Sequence, residues 1–386
     1  MILSLTVYTG TAIAMAWLGW HVNHREQRVM AQGGAELPFS SWEILMAMLI
    51  YIAVSSVRWL TSWDYNMYYS YFVCMQSVGE FSRENFEPGF SLLTTLMARS
   101  GLHFAFFFGF WAALQIVLLY YALRHRKFLL PWIGLCVMLG PYYVQWMNSI
   151  RQTVVECLLV VMAELIVRRK FWIYLLLTVL ATMLHRMSLL LIPVYFVPLI
   201  PTRGIKRWML FTAIALCVVV GQFPQWIQWA FYSIGGLADY LGYGHYYRLF
   251  ASKNVTYLFG HWSGPTWLFP LISCLFIIWY FPAIRRKFNG DPFILANFWF
   301  ALIHIAYLNV FANTTLYLRR PGDLFRATFL VMVCYTLHYL WRERKWLPFA
   351  AMAVLNFYYV FYDMVKADLY PSFIHFPELY RTFLLQ

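Results

Sequence analysis

The sequence predicts an all-α, polytopic integral membrane protein with roughly 11–12 transmembrane helices. Of its 386 residues, 62% are hydrophobic and only 12% are charged, a composition that excludes a water-soluble globular domain. Several apolar runs reach about 20 residues, the length that crosses a bilayer. No repeat or linker interrupts the chain, so we expect residues 1–386 to form a single multi-span membrane domain.

We predict the membrane segments from these runs, each about 20 residues long or shorter. The segments are 1–20, 43–60, 103–123, 128–147, 150–167, 171–184, 187–201, 208–222, 265–283, 292–311, 324–341 and 346–363. The first run is followed by Arg25 and Arg28 instead of a small-residue cleavage site, so we interpret it as a retained helix rather than a signal peptide. The short pieces 171–184 and 187–201 are either two spans that meet at the outer face or one broken, re-entrant element. The placement of the basic clusters favours two spans.

Basic clusters orient the chain, because lysine and arginine collect in short cytoplasmic loops. Five clusters follow or precede apolar runs: Arg124/Arg126/Lys127, Arg168/Arg169/Lys170, Arg203/Lys206/Arg207, Arg285/Arg286/Lys287 and Arg342/Arg344/Lys345. With these loops inside, both termini lie outside. The clusters, together with Arg25 and Arg28, hold 17 of the 29 lysines and arginines. Membrane anchoring therefore explains most of the net charge of +13, and we expect no nucleic-acid partner.

The remaining charged residues at membrane ends then fall mostly on the outer face. They are Asp64, Glu87, Arg151, His185, Arg186, Arg248, Arg319, Arg320, Asp323 and Arg326. The outer segments 61–100, 223–264 and 364–386 are rich in aromatic residues. These residues form an ordinary interfacial belt or stack on sugars, and composition does not separate the two.

Arg151 is the first candidate for a binding residue, because an arginine at an outer membrane boundary is costly and marks a functional site by default. The alternative is that its side chain snorkels to lipid headgroups. His185 and Arg186 interrupt an apolar stretch in the same way. A lone histidine there could also make a structural hydrogen bond between helices.

Residues 318–326 form the densest outer charge group. Pro321 suits the first turn of a helix, where Asp323 would complement the helix dipole. Arg326 lies three residues after Asp323, so the two can pair. Arg319 and Arg320 would then project from a loop as a clamp for phosphate, because guanidinium offers bidentate donors. A solvated group of ion pairs is the structural alternative.

Three residues are candidate bases: His185, Glu87 and Asp64. We favour His185 because its ordinary pKa lies near the working pH, while the carboxylates could instead organise the arginines. The six cysteines are scattered singly and no metal-ligand spacing is present, so we expect neither a metal nor a cofactor.

Five short motifs, in this order, resemble those of the EpsG-like polysaccharide polymerases, which are close in role to Wzy polymerases. Asp64 to Tyr68 and Glu87-Pro88-Gly89-Phe90 are similar to the family's D-x-x-x-Y and E-P-G-F/Y patterns. Asn148-Ser149-Ile150-Arg151-Gln152 resembles its N-x-x-R-Q helix start. The F-H-x-S element is similar to Leu184-His185-Arg186-Met187-Ser188, with leucine for the aromatic and one inserted arginine. The late R-x-x-x-Y-F element resembles residues 319–326, where Leu324 replaces the tyrosine.

The resemblance implies a metal-independent glycosyltransferase with a GT-C-like arrangement. It would join undecaprenyl-pyrophosphate-linked oligosaccharide repeats into O-antigen or exopolysaccharide. The enzyme would lie in the bacterial inner membrane with its active face periplasmic, among membrane lipid and possible flippase and chain-length regulator partners. His185, Glu87 and Asp64 would be catalytic. Substrate would be bound by Arg151, Gln152, Arg186, Arg248, Arg319, Arg320 and Arg326.

Two alternatives remain open. An O-antigen ligase would use the same donor with another acceptor. A flippase for lipid-linked oligosaccharide predicts charges near the bilayer midplane, and here only Glu156 and Glu164 qualify. His304, deep in a span, is interpreted as a core hydrogen-bonding residue.

Overall fold

The computed structural model describes residues 2–62, 64–79, 86–200, 204–233, 265–314, 316–359, 361–362, 381–382 and 384. Most of the predicted outer segments 223–264 and 364–386, together with Arg248, lies outside these residues. Within them the regular structure is helical. The only β pairing in the described ranges is an isolated bridge between Arg58 and Thr382.

Seventeen α-helices form in the described part of the chain. They are α1 Ile2–Ala31, α2 Trp42–Ser56, α3 Tyr65–Ser77, α4 Pro88–Arg99, α5 Phe104–Ala122, α6 Leu130–Leu139, α7 Tyr142–Asn148, α8 Ile150–Val167, α9 Phe171–Thr182, α10 Leu191–Val194, α11 Arg207–Gly221, α12 Pro224–Ser233, α13 Pro265–Lys287, α14 Pro292–Val310, α15 Leu316–Asp323, α16 Arg326–Arg342 and α17 Trp346–Phe357. Short 3₁₀ turns occupy Lys127–Leu129, Arg186–Leu190 and Val197–Leu199.

Four of these helices, α1, α5, α13 and α14, are long and apolar enough to cross a membrane, and the bent pair α6–α7 makes a fifth candidate. The protein is therefore an all-α, multi-pass membrane protein, as the sequence predicts. Other predicted segments coincide with shorter apolar helices of 10–17 residues. The total of roughly 11–12 spans remains a prediction from hydropathy.

The predicted segment 187–201 is not one continuous helix. It consists of a 3₁₀ turn, the single-turn helix α10 and a second 3₁₀ turn. Pro193 and Pro198 lie in this stretch, and proline removes a backbone donor and disfavours the helical conformation of the residue before it. The broken backbone fits a chain that reverses direction near His185.

The chain bends by 67° between the helical run ending at Leu139 and α7. Gly140 and Pro141 form the break. A Cβ atom on Gly140 would lie 2.5 Å from the carbonyl oxygen of Cys136 and 2.8 Å from that of Asn356, so only glycine permits this close approach. The bend turns α7 away from the axis of α6.

Helix α8 lies at the centre, where it contacts α5, α9, α14 and α16. Its 18 residues extend over about 27 Å at 1.5 Å per residue. Arg151 stands at its first turn and Arg168 directly after its last residue. Helices α3 and α4 pack on α5 at the Arg151 end through an aromatic core that includes Tyr65, Phe90 and Trp111.

One local prediction was wrong. Pro321 lies inside α15, and Asp323 ends that helix rather than beginning the next. The reason is tertiary packing against α14: Gly322 approaches Tyr307 so closely that a Cβ atom would lie 2.7 Å from its ring. The Gly322 carbonyl also accepts a 2.8 Å hydrogen bond from Nδ1 of His304. Arg319 and Arg320 therefore project from a helix, not from a loop. The hydrogen-bonding role predicted for His304 is confirmed.

Candidate functional site

The N-terminus of α4 places Glu87 beside the turn that carries His185. Pro88 occupies the first turn and Glu87 is the extended residue before it, where proline favours such a backbone. The backbone amides of Gly89 and Phe90 both donate to the carbonyl oxygen of Met183, at 2.8 and 3.2 Å. Two amides that have no acceptor within the first turn of the helix thus donate hydrogen bonds to the segment that contains Met183. This docking joins two motifs that lie almost 100 residues apart in sequence.

The side chain of Glu87 lies between those of Arg151 and His185. We call these three residues the Glu87 cluster. One carboxylate oxygen forms an ion pair with Arg151. The other accepts the backbone amide of Arg186 at 3.2 Å and lies 3.6 Å from Nδ1 of His185. Glu87 and His185 are 7% and 9% exposed, so the cluster is largely shielded from solvent.

The electrostatics keep Glu87 ionised and His185 neutral. Burial would raise the pKa of Glu87, but the His185 ring and the Arg151 guanidinium outweigh it and lower the pKa to about 2. Burial lowers the pKa of His185 below its ordinary value, and the charges of Arg151 and Arg320 act in the same direction against Glu87. At neutral pH the cluster therefore holds a carboxylate, a guanidinium and an uncharged imidazole.

Aromatic rings surround the Arg151 guanidinium. It lies 4.9 Å from the ring centroid of Phe86, 5.0 Å from that of Phe90 and 6.0 Å from that of Tyr68. Such cation–π contacts hold an arginine in place and are strongest when it is desolvated. Tyr68 is therefore part of the site, although it is not among the site residues predicted from the sequence. Its position four residues after Asp64 in the first motif was the available signal.

Asp64 joins the site through α7. Its backbone amide donates to Oδ1 of Asn148 at 2.8 Å, and Ser62 donates to the carbonyl oxygen of Met147 at 3.1 Å. The Asp64 charge acts on both Tyr68 and Arg151. The first motif is thus held against the third.

A cavity of about 300 Å³ lies beside the start of α8, where Asn148 and Ser149 line it. We call it the arginine cavity, because Arg319, Arg320 and Arg326 contribute to its lining. The other polar and aromatic lining residues include Tyr142, Gln145, Asn148, Ser149, His304, Asp323, Asn356, Tyr358 and Tyr359. Phosphate is bound well by guanidinium, and sugars by tyrosine rings and amide side chains.

Gln152 connects the arginine cavity to the helix that carries Arg151. Its side-chain amide donates to the carbonyl oxygen of Arg320 at 3.3 Å and to Glu156 at 3.4 Å. Arg320 also acts electrostatically on Tyr68 and His185. Gln152 and Arg320 therefore connect the cavity with the Glu87 cluster.

Two carboxylates hold Arg326. Asp323 lies 2.5 Å from its guanidinium, which confirms the predicted pair, and Glu156 lies 3.6 Å away. Glu156 is fully buried and also accepts a hydrogen bond from the indole of Trp146 at 3.2 Å. None of the sequence motifs includes Glu156. Its spacing of four residues from Gln152 and its isolation in an apolar run were the signals.

The structure brings together Asp64, Glu87, Arg151, Gln152, His185, Arg319, Arg320 and Arg326. Arg186 contributes its backbone amide, while its side chain is exposed. Arg248 lies outside the described residues. Asn356 of α17 joins the cavity without any signal in its local sequence.

No curated protein and no solved structure matches the chain significantly. The EpsG family matches residues 42–375, which include every motif in which the site residues described above lie. The chain is a member of the EpsG family.

Proposed function

We propose that this protein polymerises undecaprenyl-pyrophosphate-linked oligosaccharide repeat units into O-antigen or exopolysaccharide at the outer leaflet of the bacterial inner membrane. Membership of the EpsG family supports a membrane polysaccharide polymerase acting on lipid-linked glycans. The observation that carries the finer proposal is the arginine cavity beside a carboxylate–imidazole pair. Such an arrangement fits a reaction in which a pyrophosphate leaves as a hydroxyl attacks.

The arginine cavity would bind the pyrophosphate of the growing chain. When the bond between the sugar C1 and the pyrophosphate oxygen breaks, that oxygen takes the bonding electrons. Fixed guanidinium groups stabilise this developing negative charge most strongly where water is excluded. Arg319 and Arg320 would contact the phosphates, whereas Arg326, held by Asp323 and Glu156, would fix the cavity wall.

His185 would remove the proton of the acceptor hydroxyl. The hydroxyl oxygen bonds to C1 while its proton passes to the imidazole. The lowered pKa leaves the ring neutral and able to accept a proton. Its Nδ1 faces the Glu87 carboxylate, and its Nε2 has no hydrogen-bond partner among the described residues. Glu87 would then stabilise the imidazolium from 3.6 Å, and Arg151 would hold Glu87 in position.

The flippase alternative loses its main support in the structure. Glu156 is one of the two glutamates that the sequence suggests for a midplane position, and its partners are Arg326, Trp146 and Gln152. Glu164 lies 3.1 Å from Arg168 at the opposite end of α8. Local pairing explains both glutamates without a transport path.

Replacement of Arg320 tests the proposal. Arg320→Ala in cells lacking the native gene should remove long glycan chains, leave single capped repeats and keep the protein level normal. Arg320→Lys should make short chains but no long ones, because lysine keeps the charge of arginine but loses its bidentate geometry. Arg168→Ala, at the opposite end of α8, serves as the control and should retain long chains. Long chains from Arg320→Ala would contradict the assigned phosphate contact.

A purified assay separates polymerase from ligase. The wild-type protein receives only its lipid-linked repeat, and elongation of that repeat supports polymerisation. Transfer exclusively to a different lipid or carbohydrate acceptor would overturn it.

A further inference from the structure

A second cavity, of about 690 Å³, lies among α11, α13 and α14 at the opposite end of the protein from the Glu87 cluster. We call it the basic groove. Arg207 begins α11, and Arg285 and Arg286 lie in the last turn of α13. These residues belong to two of the basic clusters that the sequence places on the cytoplasmic side. The groove therefore has no part in the proposed transfer reaction.

The charged residues that line the groove within the described ranges are all basic. Three arginines line it, and no acidic residue occurs in its lining within the described ranges. Two nearby acids have other partners: Asp291 lies 2.8 Å from Arg126, and Glu343 pairs with Lys287. The N-terminus of the 15-residue helix α11 adds a partial positive charge. A phosphate group complements this set of cations.

The deeper wall of the groove is apolar and aromatic. Ile278, Phe281 and Phe298 are buried there, and Trp299 is half-buried. The groove is thus cationic near the helix ends and apolar further along α13. A ligand with a phosphate head and hydrocarbon chains matches both regions.

Exposed tryptophans stand beside the groove. Trp208 and Trp279 are 62% and 54% exposed, and the Arg207 guanidinium lies 5.1 Å from the Trp279 ring centroid. Tryptophan is enriched at the boundary between membrane and water. The arginines therefore stand at headgroup level, next to surfaces that contact acyl chains.

We propose that the basic groove binds an anionic diacyl phospholipid of the cytoplasmic leaflet, with its phosphate on Arg207, Arg285 and Arg286 and its acyl chains along Phe281 and Trp299. Basic pockets between membrane helices on the cytoplasmic side bind such headgroups, and each arginine near the surface contributes about a fivefold increase in affinity. This site goes beyond the proposed polymerase reaction, because it shares no residue with the arginine cavity.

Native mass spectrometry of the purified full chain tests the proposal. The protein is incubated with phosphatidylglycerol, phosphatidylcholine or undecaprenyl phosphate, and retained lipid is counted. Wild type should retain phosphatidylglycerol in preference to both others. The variant Arg207→Gln/Arg285→Gln/Arg286→Gln should lose affinity on the order of a hundredfold. Arg168→Gln/Arg169→Gln/Lys170→Gln removes the same charge elsewhere and should bind like wild type.

The possible results separate the alternatives. Equal retention of phosphatidylglycerol by the groove variant and wild type would overturn the site, as would equal loss in the control variant. Preferential retention of undecaprenyl phosphate would overturn the diacyl assignment, and competition by inorganic phosphate alone would overturn the role of the acyl chains.

Should the triple variant fail to fold, Arg286→Gln changes one exposed side chain and should weaken binding about fivefold. An unchanged affinity in this single variant would also contradict the proposal.

Discussion

Arg151 and Glu87 depend on each other, because each neutralises a charge that is largely removed from water. Their side chains are 15% and 9% exposed. Removing one partner of a buried ion pair leaves the other uncompensated, at a cost of about 3–5 kcal/mol. The pair therefore stabilises the junction between α8 and α4 in addition to any role in the reaction.

Arg151→Ala should abolish long polysaccharide chains and lower the thermal stability of the purified protein. Arg151→Leu/Glu87→Leu removes both charges, and apolar replacement of a buried pair is often neutral for stability. The double variant should therefore regain stability and still produce no polymer. Glycan gels, immunoblots and thermal unfolding measure these effects. Long chains from either variant would contradict a functional role for the pair.

The protonation states of the cluster predict how stability depends on pH. The folded-state pKa of His185 lies below its ordinary value of 6.5, so its contribution to stability falls as the pH drops below about 6.5. The pKa of Glu87 is lowered from 4.5 to about 2. Its contribution is complete above pH 4.5 and is lost as the pH falls towards 2.

Thermal unfolding in detergent from pH 8 to pH 3 would test this dependence. The difference in Tm between wild type and Glu87→Gln should stay constant above about pH 5 and shrink below it. His185→Gln should instead remove the part of the acid sensitivity that begins near pH 6.5. A Glu87→Gln difference that grows towards acid would contradict the assigned pKa direction.

At the scale of helices, the close approach of α4 to the His185 turn depends on Gly89. A Cβ atom at this position would lie 2.8 Å from both Cβ and the carbonyl oxygen of Met183. The backbone carbonyl cannot rotate away as a flexible side chain could. The side chain at this position is therefore limited to hydrogen.

Gly89→Ala should displace the start of α4 and separate Glu87 from His185. We expect a strong loss of polymer with a stability cost of about 1–3 kcal/mol, typical of overpacking. Gly10→Ala in α1 is the matched control, because a Cβ atom added there would have no neighbouring atom within 4 Å, and alanine favours helix by roughly 0.5–1 kcal/mol. Glycan gels and thermal unfolding report both variants. Wild-type chain length from Gly89→Ala would show that this docking is dispensable.

Hydropathy predicts the long helices well, since their burial in lipid or protein depends on local composition. It does not predict that Glu87 contacts Arg151, which is 64 residues away, because several outer carboxylates and arginines have complementary charge. The wrong prediction of the helix position of Pro321 has a similar origin. Local preference favours proline in a first turn, whereas the contact of Gly322 with Tyr307 extends α15 past it.

At the scale of the whole molecule, the basic residues form two groups that lie at opposite ends of the helices. Arg151, Arg320 and Arg326 contact carboxylates, aromatic rings or a cavity at one end of the helices. At the other end, Arg126 pairs with Asp291 and Arg168 with Glu164. The ends of α8 are about 27 Å apart, close to the thickness of a hydrocarbon core. Orientation in the membrane therefore decides which compartment supplies the substrate.

Cysteine labelling tests that orientation. Ser100 and Lys170 are both exposed. Ser100 lies at the end of the helices that carries the Glu87 cluster, and Lys170 lies at the opposite end, in a basic cluster. In a Cys74→Ser/Cys217→Ser background, Ser100→Cys should react with a membrane-impermeant maleimide on intact spheroplasts. Lys170→Cys should react only after permeabilisation, because lysine- and arginine-rich loops stay in the cytoplasm. Polymer formation by both variants provides the control for folding. The reverse labelling pattern would place Arg151 and the arginine cavity in the cytoplasm, where lipid-linked repeats could not be polymerised on the outer leaflet, and would overturn the proposed function.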